Sequence, residues 1–140
     1  MNEKKRVLFL CTGNSARSQM AEGLLRSLAG DRFEVFSAGT IASFVRPQAI
    51  AVMNELEIDI SRHRSKSVDE FVTDRFDFVI TVCDHANQHC PIFPGPVNRI
   101  HWSIDDPVGS ATGVEELTAF RRARDELRER ITAFIAKNGA

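Results

Sequence analysis

The sequence of 140 residues contains no tyrosine, a single tryptophan and no apolar run that approaches the ~20 residues of a membrane-spanning helix. Basic and acidic residues nearly balance at a net charge of −1, so no overall field favours a polyanion. The apolar run near the N-terminus, Val7 to Cys11, is too short for the core of a signal peptide. These absences disfavour nucleic-acid and membrane partners, and we expect a cytoplasmic protein.

Cysteine is scarce as well, with one residue at each of positions 11, 83 and 90. An odd number of cysteines, with no signal peptide, argues against a framework of structural disulfides and leaves inert thiols, a metal site or redox chemistry. Cys83, His85, His89 and Cys90 supply four possible metal ligands, but zinc ligands usually come as two well-separated pairs. We therefore expect no metal and no cofactor.

Apolar runs alternate with helical patterns along the chain. Four nearly continuous apolar runs predict buried strands, over residues 6–11, 33–39, 76–83 and 97–102. Apolar residues at helical spacing, together with start signals, predict a helix over 17–28, a helix from Pro47, a short helix after a Ser67–Glu70 capping box, and a long helix over 114–135. This alternation predicts one α/β domain over residues 1–140, a three-layer sandwich with helices flanking a four-stranded parallel sheet.

Chemically reactive residues follow three of the predicted strands. Cys11 ends the first strand, Cys83 ends the third, and the sequence DDP (105–107) follows the fourth. The carboxyl ends of parallel strands meet at one edge of a sheet, where ligands bind in open α/β folds. We expect these three segments to form one site.

The segment after Cys11 has the composition of an anion-binding loop. Its backbone N–H groups can turn toward a bound anion, and the loop consists of Thr12, Gly13, Asn14, Ser15 and Ala16. The helix that follows adds positive potential at its N-terminus, and Arg17 offers a planar fork to a tetrahedral oxyanion. Ser18 can donate a hydrogen bond to the sulfur. These features favour the thiolate of Cys11, so we interpret this residue as a nucleophile that faces a phosphate-like anion.

Several stretches resemble the family of low-molecular-weight protein tyrosine phosphatases, which includes the thioredoxin-coupled arsenate reductases. They are FLCTGNSARSQMAEGLL (9–25), SAGT (37–40), IDIS (58–61), TVCDHANQHCP (81–91) and HWSIDDP (101–107). The resemblance covers nearly the whole chain and implies the strand order 2-1-3-4. It also implies Cys11 as nucleophile, the 12–17 loop with Arg17 as the oxyanion site, and Asp106 as general acid, with Asp105 as the alternative acid.

The two branches of this family differ at the other cysteines. Cys83 and Cys90 lie where the reductases have their redox pair, and Gln19 stands where the phosphatases usually have proline. The phosphatases also usually carry a tyrosine pair after the DP motif, and this chain has no tyrosine. The resemblance therefore implies a monomeric arsenate reductase in which a disulfide passes from Cys11–Cys83 to Cys83–Cys90 and is then reduced by thioredoxin. Phosphate and sulfate would be substrate analogues. The alternative is a phosphatase that acts through phospho-Cys11.

The resemblance also raises the question of a potassium ion beside the loop. Asn14, Glu22 and Ser37 match three of the usual side-chain contributors, but Lys66 replaces the aspartate that is the fourth. We expect no strong potassium dependence. Asn14 is expected to support the loop through hydrogen bonds and Glu22 to be a charge on the helix surface. We interpret Arg46 as a solvated residue, with substrate steering as the alternative.

Overall fold

The computed structural model describes residues 4–109 and 114–139. The predicted domain of 1–140 also includes residues 1–3, 110–113 and 140, which lie outside the described residues. The helices and strands, in chain order, are β1 (Lys5–Cys11), α1 (Arg17–Ala29), β2 (Phe33–Gly39), α2 (Pro47–Asn54), a 3-10 helix (Val68–Phe71), β3 (Phe78–Thr81), α3 (Asp84–Gln88), β4 (Asn98–His101) and α4 (Val114–Asn138).

The four strands form one parallel sheet in the order β2-β1-β3-β4, which confirms the predicted fold class and strand order. β1 is central, and its residues from Val7 to Leu10 are fully buried, as a strand covered on both faces requires. The register pairs Cys11 with Gly39 and Leu10 with Thr81. The carboxyl ends of β1, β2 and β3 are therefore level, and the loops that follow them meet at one edge.

Aromatic side chains pack on both faces of the sheet, because successive residues of a strand point to opposite faces. On one face, Phe134 of α4 packs against three rings of the sheet region, those of Phe33, Phe78 and Trp102. On the other face, Phe36 of β2 belongs to a cluster of edge-to-face rings with Phe71, Phe76 and Phe93. The core thus continues on both sides of the sheet and holds the carboxyl edge in place.

Three predicted elements differ from the structure in detail. β3 and β4 are each four residues long, shorter than the apolar runs that predicted them. Phe76, for example, belongs to one of these runs but lies outside β3 and packs in the aromatic cluster. The helix after Ser67 is a single 3-10 turn. Ser67 caps it by accepting from the N–H of Asp69, whereas the Glu70 carboxylate pairs with Arg64 instead of completing a capping box.

The longest helix, α4, is strongly charged on its outer side. Within the described residues, no helix has both the length and the apolar character needed to cross a membrane.

Candidate active site

A cavity of about 190 Å³ opens at the carboxyl edge of the sheet, where the sequence predicted a site. It is lined by Cys11, Thr12, Gly13, Ser15, Ala16, Arg17, Ser43, Arg46, Asp106 and Val108. The Cys11 loop and the DP motif, 95 positions apart at Cys11 and Asp106, therefore meet at one surface. Asp105 does not line this cavity but a neighbouring depression, which favours Asp106 of the two candidate acids.

The Cys11 sulfur is buried and receives hydrogen bonds from its own loop. Cys11 belongs to the last residue pair of β1 with β2, and only 2% of the residue is exposed. The backbone N–H of Asn14 donates to Sγ at 3.2 Å, and Ser18 Oγ lies 2.8 Å from Sγ. Donors at a sulfur stabilise its thiolate form, so the contacts fit a nucleophile.

The direction of the Ser18 bond follows from Asn14. The Oδ1 atom of Asn14 accepts the backbone N–H of Lys66 at 2.8 Å, so its amide nitrogen Nδ2 must be the atom that donates to Ser18 Oγ, also at 2.8 Å. The hydroxyl oxygen is thus used as an acceptor, and its proton is free to point at the Cys11 sulfur. Ser18 is therefore placed to donate to Cys11.

Asn14 is the structural centre of the loop, which confirms its expected supporting role. It is fully buried and has φ of +48°, a left-handed conformation that asparagine tolerates better than most residues. Its amide also donates to Ser37 Oγ at 3.0 Å, and Gln19 Nε2 donates to its Oδ1 at 2.9 Å. Gly39 permits the close packing of β2 on the loop, since a Cβ there would lie 2.7 Å from the Asn14 nitrogen.

Glu22 is buried beneath the loop, so the expectation of a surface charge is wrong. The residue is 5% exposed, and its carboxylate accepts from Ser37 Oγ at 2.5 Å and from Arg26 at 2.7 Å. The helix face that carries Glu22 turns inward because α1 packs against β2 and α4. Glu22, Ser37, Asn14 and Ser18 thus form a continuous hydrogen-bonded chain from a buried carboxylate to the Cys11 sulfur.

Two further basic side chains face Glu22. Lys66 places its Nζ 3.9 Å from the carboxylate and donates to the carbonyl of Arg64, while His63 Nε2 lies at 3.7 Å. Burial lowers the pKa of Lys66, and Glu22 opposes that effect. Burial likewise lowers the pKa of His63, against the attraction of Glu22. The Lys66 ammonium therefore stands next to the carboxylate that a bound cation would otherwise contact, and independence from potassium stays a prediction.

No pattern in the sequence assigns a role to His63, and Gln19 stands out there only as a departure from the phosphatases. In the structure, His63 Nδ1 lies 2.9 Å from Gln19 Oε1, while Gln19 also donates to Asn14. The His63–Gln19 contact joins residues 44 positions apart, so no local pattern in the sequence could have revealed it.

Arg17 and Asp106 face each other across the cavity. Arg17 Nη2 lies 3.6 Å from Asp106 Oδ2, and Nη1 donates to the carbonyl of Ile104 at 2.9 Å. The Arg17 side chain is 11% exposed, while that of Asp106 is 56% exposed. Asp106 Oδ1 also accepts from the N–H of Val108, which fixes the turn at the DP motif. The carboxyl group is held at the entrance, where a proton can pass to a bound oxyanion.

Cys83 contacts the Cys11 loop directly. Its Sγ lies 3.3 Å from Thr12 Oγ1 and accepts the N–H of Ala86 at 3.3 Å, so the sulfur caps the N-terminus of α3. Cys90 follows the other end of α3 and is half-buried. Burial raises the pKa of the Cys90 thiol, and the Arg99 guanidinium partly opposes the rise. All three cysteines are free thiols.

The α3 helix is short and exposed. Asp84, at its start, accepts from His101 Nε2 at 2.9 Å and from Ser103 Oγ at 3.1 Å, and these bonds hold the pKa of its carboxyl below the usual range. The rings of His85 and His89 pack edge to face, 4.2 Å between centroids. In the described part of the chain, no three His, Cys, Asp or Glu side chains are placed to hold a metal ion together.

Arg46 lines the cavity and is half-buried, so the interpretation as a solvated residue is wrong. Its backbone N–H donates to the carbonyl of Ser15 at 2.9 Å. This bond ties the start of α2 to the Cys11 loop and brings the Arg46 side chain to the cavity wall.

A buried cysteine and an arginine in one loop, opposite an aspartate, are typical of enzymes that act on tetrahedral oxyanions through a thiol. The model of the low molecular weight phosphotyrosine protein phosphatase family matches residues 6–138. The arsenate reductases of Bacillus cereus strain 03BB102 and of Bacillus anthracis are each 48% identical over 134 residues, 96% of both chains.

Solved structures give the same relationship. A structure of an arsenate reductase in the oxidized state has a TM-score of 0.83 at 37% identity, and the match covers 95% of this chain and 98% of that one. The low molecular weight protein tyrosine phosphatase from T. tengcongensis has a TM-score of 0.81 at 29% identity, covering 96% and 99%. The chain therefore belongs to the low molecular weight phosphatase family and groups within it with the arsenate reductases.

Proposed function

We propose that this protein reduces arsenate to arsenite, with electrons supplied by its own cysteines. The observation that carries the proposal is the position of Cys83, whose sulfur contacts Thr12 in the loop of the nucleophile Cys11. A phosphatase of this family needs one thiol, since water resolves its intermediate. A second thiol at the loop and a third at Cys90 fit a reaction that must deliver two electrons.

In the first step, the Cys11 thiolate attacks the arsenic atom of arsenate in the cavity. Arg17 and the backbone N–H groups of the loop bind the remaining oxygens, and Ser18 stabilises the thiolate before attack. Asp106 gives its proton to the departing oxygen, which leaves as water. The product is a Cys11–arsenic(V) adduct.

In the second step, Cys83 attacks the sulfur of Cys11. The sulfur–arsenic bond breaks and its electron pair stays on arsenic, so arsenite leaves as a Cys11–Cys83 disulfide forms. Cys90 then attacks the sulfur of Cys83, which moves the disulfide to Cys83–Cys90 and releases the Cys11 thiolate. Two thiols are oxidised for each arsenic(V) reduced to arsenic(III).

We expect the second exchange to unwind α3. Cys83 and Cys90 flank this five-residue helix. Seven residues of continuous helix would separate two Cα atoms by ~10 Å, while a disulfide needs Cα atoms within ~7 Å. The segment 83–90 is thus the mobile part of the proposed cycle, an order–disorder switch that moves the disulfide outward.

The electron donor is proposed to be thioredoxin, which attacks the Cys83–Cys90 disulfide after it reaches the surface. We also propose that the protein is cytoplasmic and monomeric, with a single domain over residues 1–140. Residual phosphatase activity is expected as well, because a cavity shaped for one tetrahedral oxyanion accepts the other.

The second candidate function is hydrolysis of an aryl phosphate through phospho-Cys11. The family match and the structural similarity to the phosphatase of T. tengcongensis favour it. On this alternative, Cys83 and Cys90 would be dispensable.

Three variants separate the candidates in assays of arsenate reduction, with thioredoxin, thioredoxin reductase and NADPH, and of aryl phosphate hydrolysis. We expect Cys11→Ser to abolish both activities. Cys83→Ser and Cys90→Ser should abolish reduction and leave hydrolysis intact, with Cys83→Ser stopping the reaction at Cys11. Sustained reduction by the Cys83→Ser variant would contradict the cascade. Parallel assays with glutaredoxin and glutathione identify the donor.

A further inference from the structure

Arg46 is attached to the oxyanion loop through its backbone. Its N–H donates to the carbonyl of Ser15 at 2.9 Å, and Pro47 directly after it fixes the start of α2. The side chain lines the same cavity as Cys11 and Arg17. A second guanidinium is therefore built into the wall of the site.

The charges of the two arginines are balanced differently. Arg17 lies 3.6 Å from the Asp106 carboxylate and donates to the carbonyl of Ile104. Arg46, by contrast, forms no ion pair within residues 4–109 and 114–139, and its guanidinium stacks 4.6 Å from the ring centroid of Phe44. The ring restricts the orientation of the guanidinium without neutralising it.

One donor of Arg46 is also without a partner. Its Nε is buried and has no hydrogen bond in the described part of the chain. A buried N–H without an acceptor lowers stability, and an oxyanion in the cavity can supply the missing acceptor. The substrate is a dianion that must approach a thiolate, so a cavity with one partly neutralised arginine would be short of positive charge.

We propose that Arg46 is a second oxyanion-binding residue, which together with Arg17 holds the doubly charged tetrahedral substrate. The role of Arg46 in arsenate reduction rests on the proposed function. Its role in binding the oxyanion does not, since phosphate has the same shape and charge. Arg46 acts in binding rather than in the chemical steps, so its loss should raise KM more than it lowers kcat.

The test compares Arg46→Gln and Arg46→Lys with Arg128→Gln, which removes one exposed arginine of α4 as a matched control. KM and kcat for arsenate are measured at constant ionic strength, to hold screening fixed. In a Cys83→Ser/Cys90→Ser background, inorganic phosphate is titrated against alkylation of Cys11 by iodoacetamide, which reports oxyanion binding without any redox step.

Loss of a charge-assisted hydrogen bond predicts a rise of about tenfold in KM and in the phosphate concentration that half-protects Cys11 for Arg46→Gln, with kcat within about twofold. Arg46→Lys should fall between this variant and wild type, and Arg128→Gln should match wild type. Unchanged phosphate protection in Arg46→Gln would overturn the proposal, as would a fall in kcat at constant KM. If the wild type reduces no arsenate, the proposed function fails, and phosphate protection still decides the role of Arg46.

Discussion

The Cys11 loop and the 83–90 segment both hold a sulfur that the proposed cycle uses, but they are built in opposite ways. Within the Cys11 loop, Asn14 is fully buried, and each hydrogen bond of its side chain goes to another buried or half-buried group. Around α3, the anchoring carboxylate of Asp84 is 72% exposed, and the helix has only five residues. One region is fixed by a buried polar network, and the other by a few bonds in contact with water.

This difference matches the two tasks that the proposed cycle assigns. A nucleophile that attacks a bound oxyanion gains from a fixed geometry, so the Glu22–Ser37–Asn14–Ser18 chain orders the loop before substrate arrives. A sulfur that must receive a disulfide and carry it outward has to leave its place. Low local stability in α3 is therefore a requirement of the second task.

The largest effect is expected from a substitution of Asn14, which lies at the centre of the buried hydrogen-bond network. Asn14→Ala removes four side-chain hydrogen bonds, leaves buried partners unpaired and puts alanine at a positive φ. We expect the free energy of unfolding to fall by about 3 kcal/mol and both activities to fall roughly a hundredfold. Urea denaturation and steady-state kinetics measure the two losses.

The matched change in the other region is Asn87→Ala, an exposed residue of α3. Alanine is the better helix former there, so unfolding should change by less than about 0.5 kcal/mol. Equal losses in the two alanine variants would contradict the contrast between the regions.

A smaller effect is expected from pH, through His63. Burial lowers its pKa in the folded protein, although Glu22 and Asp59 attract the charged form, while Arg26 and Lys66 repel it. As pH falls through the ordinary histidine value of ~6.5, the unfolded chain binds a proton that the folded one does not, so stability falls with decreasing pH. Below the folded pKa the loss levels off.

His63→Gln should flatten this part of the stability profile between pH 7.5 and 5, measured by urea denaturation at each pH. His89→Gln controls for the loss of an imidazole from the exposed region. If both variants keep the wild-type slope, the titration of His63 does not contribute to the pH dependence of stability.

The smallest effect is expected from loosening α3 itself. Asp84→Ala removes the acceptor of His101 and Ser103 and should leave global stability nearly unchanged, because these bonds lie at the surface. Amide exchange within 83–90 should become roughly threefold faster, measured by hydrogen–deuterium exchange with mass spectrometry. Unchanged exchange in this segment, or faster exchange in the Cys11 loop as well, would show that Asp84 does not hold α3 locally.

The two regions also differ in how far the sequence predicts them. The strand, loop and helix around Cys11 are adjacent in the sequence. The apolar run, the small loop residues and Arg17 therefore predict both these elements and the edge of the sheet at which the site lies. The support beneath it is not local. Glu22 has the same polar character as any surface glutamate, and its burial depends on Ser37, His63 and Lys66, which only the packing of β2 and the following loops brings near.

Arg46 is a second residue whose tertiary contacts the sequence does not predict. Its position before Pro47 predicts the start of a helix, and the helix begins there. Its approach to the cavity follows from a backbone bond to Ser15, 31 positions earlier, which no spacing rule indicates. By contrast, the 83–90 segment is short and largely exposed, and the two cysteines that the proposed cycle uses there can be identified in the sequence directly.

The cysteine cascade can be tested with fully reduced protein, one addition of arsenate and no electron donor, followed by thiol counting and intact-mass spectrometry. The cascade predicts the loss of two thiols, a mass lower by ~2 Da, and a disulfide that peptide mapping places at Cys83–Cys90. Three free thiols after arsenate, together with hydrolysis of an aryl phosphate by the same sample, would contradict it and identify a phosphatase.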